Sequence, residues 1–175
     1  MSLPNLLSIS RILFLIPIIF LFEYGLYLFS LIIFIFASIS DFLDGYLARK
    51  NNQTSDLGAL LDLLADKIFV STLLIWMTFN FSDLIILISS ILIISREISI
   101  SYLRLFIVSK SKDIKEVKSD LLGKYKTSFQ MIGLGFILIS PEIFYSVFLF
   151  GLVLLFLSAI ISWYSFIKYL NKWIV

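Results

Sequence analysis

Apolar runs long enough to cross a lipid bilayer follow one another along almost the whole chain, separated by short polar turns. A bilayer core takes about 20 helical residues to cross, so 175 residues leave room for about six spans and for no large extramembrane domain. With 60% apolar and 15% charged residues and a mean hydropathy of +1.03, the composition lies outside that of ordinary soluble domains. No Pro/Gly/Ser-rich linker, low-complexity tract or repeat divides the sequence. The expected architecture is all-α: a polytopic membrane protein with six transmembrane helices, forming one domain over residues 1–175.

Charged and turn-forming residues set the expected boundaries. The stretch Met1 to Arg11 has no A-x-A-like cleavage site, and Ile12 to Phe22 continues the apolar positions Leu6 and Leu7, so the first helix is expected to be retained. Glu23-Tyr24-Gly25 reads as a tight turn, and a second helix is expected from about Leu26 to Arg49, followed by the polar connection Asn51 to Ser55. Ser55 is placed to cap a third helix running from near Asp56 to near Asn80. Ser82 and Asp83 open a fourth that reaches about Val108, and Lys110 to Asp120 forms a mixed-charge loop. The fifth is expected from about Leu121 to Ser140, Pro141 and Glu142 make a turn, and the sixth ends near Leu170.

Six spans imply that alternate connections differ in Lys and Arg content. The connections near Glu23, Asp83 and Glu142 carry neither, whereas Arg49, Lys50, Lys110, Lys112, Lys115, Lys118, Lys168 and Lys172 fall on the other side. Both termini are therefore expected to face the cytoplasm. Arg11, Lys67, Arg96, Arg104, Lys124 and Lys126 lie within expected helices; together they point to a polar chamber opening to the cytoplasm.

Cys and His are both absent, which excludes disulfides, thiolate or imidazole metal sites, and Cys- or His-based nucleophilic catalysis. Chemistry must come from carboxylates, Lys, Arg, hydroxyls and hard cations. Ionisable groups in spanning helices cost roughly 2.5 to 3.5 kcal/mol each on insertion scales, so Asp41, Asp44, Asp62 and Asp66 demand a reason. Asp41, Asp44, Gly45 and Ala48 share one helical face at i, i+3, i+4, i+7 spacing, and Gly58, Asp62 and Asp66 recur at i+4. Carboxylates so gathered repel one another unless cations neutralise them. Oxygen ligands alone select a hard ion such as Mg²⁺ or Mn²⁺, and a cluster this acidic could hold two.

The run Asp41-x-x-Asp44-Gly45-x-x-Ala48-Arg49, then Gly58, Asp62 and Asp66, resembles the full signature of the CDP-alcohol phosphotransferases, and every defined position matches. The resemblance implies transfer of a phosphatidyl group from a CDP-linked lipid to an alcohol, with CMP leaving. It also implies that Asp41, Asp44, Asp62 and Asp66 bind metal, that Asp66 is the general base, and that Gly45, Ala48, Arg49 and Gly58 hold the CDP-lipid. For Arg49 an interfacial anchor, and for Gly45 and Gly58 helix packing alone, remain open as alternatives.

Three further motifs resemble the bacterial phosphatidylglycerophosphate synthase branch of that family: Asn5-x-x-Ser8-x-x-Arg11, Arg96-Glu97-x-x-x-Ser101-x-x-Arg104, and Gly123-Lys124-x-Lys126-Thr127-x-x-Gln130-Met131. This implies CDP-diacylglycerol as donor and glycerol 3-phosphate as acceptor, membrane lipids as surroundings, a homodimer, and a bacterial inner membrane; nucleic acid is not an expected partner. Arg96, Arg104, Lys124 and Lys126 would form the cationic acceptor pocket, since glycerol 3-phosphate is a dianion near neutral pH. Two alternatives stay open: Lys124 and Lys126 as anchors at anionic headgroups, and Arg96 as a structural partner of Glu97 or a neighbouring Asp. Phosphatidylglycerol, serine or inositol phosphate as acceptor would keep the aspartate core. A divalent-cation transporter or scaffold is the non-enzymatic alternative, although no acidic series continues into the outer half.

Overall fold

In a computed structural model, the described backbone covers residues 3–50, 56–110 and 121–174, and side chains are described for 9–40, 58, 60–61, 63–106 and 125–171. Among the described residues six helices follow one another: α1 Leu3–Glu23, α2 Tyr27–Lys50, α3 Asp56–Phe81, α4 Leu84–Lys110, α5 Leu121–Ile139 and α6 Tyr145–Ile174. No strand occurs among the described residues. Three described stretches are long and apolar enough to cross a membrane, Leu63–Phe81, Leu84–Phe106 and Tyr145–Asn171, and Tyr27–Ser40 is a shorter apolar stretch. Large apolar side chains such as Ile16, Phe36, Ile75, Phe79 and Leu105 are exposed, as expected where lipid replaces water as the solvent.

The helices begin and end close to the expected places, for identifiable reasons. Gly25 takes φ 76° and closes α1 in a paired motif, with Leu26 N–H donating to Leu21 O and Gly25 N–H to Phe22 O, both at 2.9 Å. Asp83 caps α4 by accepting from Ile85 N–H at 2.8 Å and Ile86 N–H at 3.1 Å. Pro141 has no amide to continue α5, which ends at Ile139. The sixth helix runs past Leu170 to Ile174, because Lys168, Asn171 and Lys172 supply polarity at a membrane surface without any Gly or Pro to stop the helix. The expected connections 51–55 and 111–120, with the Ser55 cap, lie outside the described residues.

The chain forms two compact units. The first comprises Met1–Trp76 and Gly135–Phe148. Here α1 packs on α2, and Ser30 Oγ donates to Ile18 O at 2.8 Å. At the end near Glu23, Phe22 meets Trp76 edge-on at 4.9 Å, and Trp76 Nε1 donates to Glu23 Oε1 at 3.0 Å. The second unit comprises Met77–Leu134 and Leu149–Val175. Its α5 and α6 approach so closely at Gly133 that a Cβ there would stand 3.1 Å from Gly151 O and 3.1 Å from Leu155 N, the small-residue contact that lets helices pack without a water-driven force. Trp163 Nε1 donates to Leu92 O at 2.9 Å, and Thr78 Oγ1 and Ser90 Oγ share a hydrogen bond at 3.1 Å.

Candidate active site

The acidic signature lies on the α2–α3 hairpin of the first unit. Five residues separate the two helices, and the rings of Phe34 and Phe69 stack at 6.0 Å with an interplanar angle of 17°. Phe34 is 16 residues from the end of α2 and Phe69 is 13 from the start of α3, distances of about 24 and 20 Å along the axes. Such a pair can meet across so short a connection only if the helices double back on each other. Seven residues onward along α2 from Phe34 is Asp41, and seven back along α3 from Phe69 is Asp62, so these two backbone positions share a level of the hairpin. The helical backbone is continuous through 41–50 and from 56 onward. Asp41, Asp44, Gly45 and Ala48 therefore keep their common face, as do Gly58, Asp62 and Asp66.

The side chains of Asp41, Asp44, Gly45, Ala48, Arg49 and Asp62 lie outside the described residues. Asp66 and Gly58 are described and half-buried. Asp66 sits just inside the apolar stretch Leu63–Phe81, beside fully buried Ala65 and three residues before fully buried Phe69. A carboxylate in that position needs a cation, and an all-oxygen donor set fits a hard divalent ion better than any soft metal. Among the described residues alone, no three acidic side chains gather as a metal site. Arg11, from the first outer motif, is fully buried in this unit.

The cationic residues lie in the second unit. Arg96 and Lys126 are buried, and one carboxylate serves both: Glu97 Oε1 accepts from Arg96 Nη1 at 2.9 Å and also from Lys126 Nζ. Arg96 Nε in addition donates to Ser162 O on α6 at 3.1 Å. Of the two readings left open for Arg96, the pairing with Glu97 is therefore present. Gln130 is buried one helical turn from Lys126. Arg104, two turns beyond Arg96 on α4, is half-buried, and its Nε is buried without a hydrogen-bond acceptor among the described residues. The side chain of Lys124 lies outside the described residues.

The sequence motifs single out Arg96, Arg104 and Lys126 but treat Glu97 only as a neighbour of Arg96. Its bond to Lys126 spans 29 residues, and nothing local to either residue announces it. A hint exists in the count of charges: Glu97 is the sole acid in α4 and α5, against five cations.

With its described elements all helical, long apolar stretches among them, Asp66 within one of these and the aspartate-glycine signature on α2 and α3, the chain belongs to the CDP-alcohol phosphatidyltransferase family, whose model matches residues 1–167. Three relatives, each named CDP-diacylglycerol–glycerol-3-phosphate 3-phosphatidyltransferase, share the likeness. The protein from Wigglesworthia glossinidia brevipalpis is 41% identical over 141 residues, covering 81% of this chain and 76% of its own. That from Salmonella choleraesuis is 33% identical over 173 residues, covering 97% of this chain and 93% of its own. The Pseudomonas fluorescens protein is 33% identical over 175 residues, covering 98% and 89%.

Proposed function

We propose that this chain is a CDP-diacylglycerol–glycerol-3-phosphate 3-phosphatidyltransferase, giving phosphatidylglycerol phosphate and CMP in phospholipid synthesis. The observation that carries the reading is the reach of the similarity: relatives bearing that name align along nearly their whole lengths and nearly all of this chain. A divalent-cation transporter has no comparable support. Residues 1–175 act as one catalytic domain with six spans, both termini and the polar cavity facing the cytoplasm of a bacterial inner membrane, as a homodimer.

In this reading Asp41, Asp44, Asp62 and Asp66 hold Mg²⁺ or Mn²⁺, as two ions. Bound divalent ions screen the donor diphosphate and stabilise the leaving phosphate. Gly45, Ala48 and Gly58 leave space for the CDP-lipid, and Arg49 contributes a fixed charge to its phosphate. Asp66 takes the proton from a hydroxyl of glycerol 3-phosphate as that oxygen bonds to the lipid-side phosphorus; the bond from phosphorus to the bridging oxygen breaks, and CMP leaves with the electron pair. Arg104 and Lys124 contact the acceptor phosphate, with Arg96 and Lys126 adding charge beside them.

The test is CMP release from CDP-diacylglycerol with each candidate alcohol. Glycerol 3-phosphate should support release, and serine, inositol phosphate and phosphatidylglycerol should not; robust release with one of those and none with glycerol 3-phosphate overturns the acceptor while keeping the family chemistry. For orientation, cysteines introduced near Gly25, Asp83 and Glu142 should react with an impermeant reagent from outside, and those near Asn52 and Lys115 should not. The reverse pattern sinks the orientation.

A further inference from the structure

We propose that Glu97 is a positioning residue of the acceptor site, holding Arg96 and Lys126 so that a phosphate monoester dianion meets a fixed array of cations; the proposal rests on the acceptor reading above. Two observations in the second unit lead there. One oxygen, Glu97 Oε1, accepts from both Arg96 Nη1 and Lys126 Nζ, which joins α4 to α5. Arg96 also binds the Ser162 carbonyl of α6 through Nε, so a single guanidinium-carboxylate-ammonium chain ties three helices. Buried cations on long, flexible stems would otherwise adopt many positions, and each phosphate bound would have to order them.

The charge count points the same way. Arg96, Arg104, Lys124 and Lys126 against Glu97 leave a net charge of +3, so the group stays cationic toward a dianion even with one internal carboxylate. The groups also divide the work. Arg96 is engaged by protein acceptors at both Nε and Nη1, whereas Arg104 Nε is buried without one among the described residues. Arg104 Nε thus has no acceptor among the described residues, which makes Arg104 the candidate donor to a ligand, and Glu97 acts at one remove, by keeping the neighbouring cations from taking that ligand into a different pose. A carboxylate oxygen already shared by two cations is committed as an acceptor and is not assigned a proton-transfer step.

The experiment uses the full chain in detergent or proteoliposomes with CDP-diacylglycerol. It measures kcat, the KM for each substrate, and competitive inhibition by inorganic phosphate against glycerol 3-phosphate. Glu97→Gln should raise the glycerol 3-phosphate KM and the phosphate inhibition constant about tenfold and leave the CDP-diacylglycerol KM within about twofold. Glu97→Asp keeps the charge balance and shortens the reach, so it should shift the same constants in the same direction by less; it decides the matter alone if Glu97→Gln does not fold. A glycerol 3-phosphate KM that does not move, or two KM values that rise together, overturns the positioning role. Failure of the underlying reading is distinguishable, because the wild type would then release CMP with another alcohol but not with glycerol 3-phosphate, and the Glu97 role would fall with it.

Discussion

The α2–α3 pair and the α4–α5 pair solve opposite electrostatic problems. Helices α2 and α3 carry five Asp against Arg49, Lys50 and Lys67, a net charge of −2, while α4 and α5 carry five cations against Glu97 alone, a net charge of +4. An acidic cluster at a membrane cannot bind a diphosphate unaided, so it must recruit cations from solution. A cationic cluster can bind an anion directly and needs only enough internal carboxylate to stay ordered when empty. In the proposed reading, α2 and α3 handle the donor through added ions and α4 and α5 handle the acceptor through protein charges alone, so the two should respond to different perturbations.

The largest effect that could break this comparison is metal removal. Stripping divalent ions should abolish CMP release, and Mg²⁺ or Mn²⁺ should restore it, because the proposed donor half offers only oxygen ligands. Full turnover after verified removal would end the ion-dependent account of α2 and α3. Next in size, Asp66→Asn keeps the shape of a half-buried side chain and removes its basicity, so turnover should fall by about 10² to 10⁴-fold in a protein that still folds. Near-normal turnover would remove Asp66 as the base.

On the cationic side the effect should be selective. Arg104→Ala, and to a smaller degree Lys124→Ala, should raise the glycerol 3-phosphate KM by about 10- to 150-fold, the value of one charge-assisted contact, and change the CDP-diacylglycerol KM far less. Equal changes in both would show that the two halves do not divide the substrates as their charges suggest.

These halves differ also in how far they can be read before a structure is seen. Six apolar runs with polar punctuation suffice to place every helix within a few residues, since a chain in lipid has few other ways to satisfy its backbone. The turn at Gly25 and the stop at Pro141 are visible as residue types. The acidic signature is legible because its spacing lies within two consecutive helices joined by a short connection. The cationic residues are legible from their motifs, but the contacts that organise them are not, because these run between distant segments: Glu97 to Lys126, Arg96 to the Ser162 carbonyl, and Gly133 against Gly151. Backbone carbonyls and missing side chains leave no mark on a hydropathy pattern. The extension of α6 to Ile174 was equally hidden, as no stop residue separates it from the apolar run.

A packing test sharpens the contrast without touching either set of charges. Gly133→Ala would put a methyl 3.1 Å from two backbone atoms of α6, a tight contact that the neighbouring backbone must relieve by a few tenths of an ångström. The expected cost is about 1 to 3 kcal/mol of stability, read as a lower unfolding temperature in detergent. The glycerol 3-phosphate KM of the folded fraction should rise before the CDP-diacylglycerol KM, because Gly133 and the Arg96–Glu97–Lys126 chain belong to the same unit. A rise confined to the donor KM would contradict that assignment.

The smallest effects come from a matched pair of tryptophans, one in each unit. Trp76 Nε1 donates to the exposed carboxylate of Glu23 at 3.0 Å, and Trp163 Nε1 donates to the Leu92 carbonyl at 2.9 Å in half-buried surroundings. Replacing either by Phe keeps an aromatic ring, so the edge-on contacts with Phe22 and with Phe166 can persist. After Trp76→Phe, water can replace the lost donor at Glu23, and the cost should be about a few tenths of a kcal/mol. The Leu92 carbonyl has less access to water, and the Ser95 hydroxyl that lies 3.2 Å from it donates its one proton more closely to Ile91 O at 2.6 Å. Trp163→Phe should therefore cost somewhat more, about 1 kcal/mol. Thermal unfolding of the two variants side by side measures the difference, and a larger loss at Trp76 would mean that the environment at Glu23 is drier than its exposure indicates. Trp163 also neighbours Ser162 in sequence, the residue whose carbonyl anchors Arg96. A shift of the acceptor KM in Trp163→Phe, with none in Trp76→Phe, would extend the positioning network one residue further along α6.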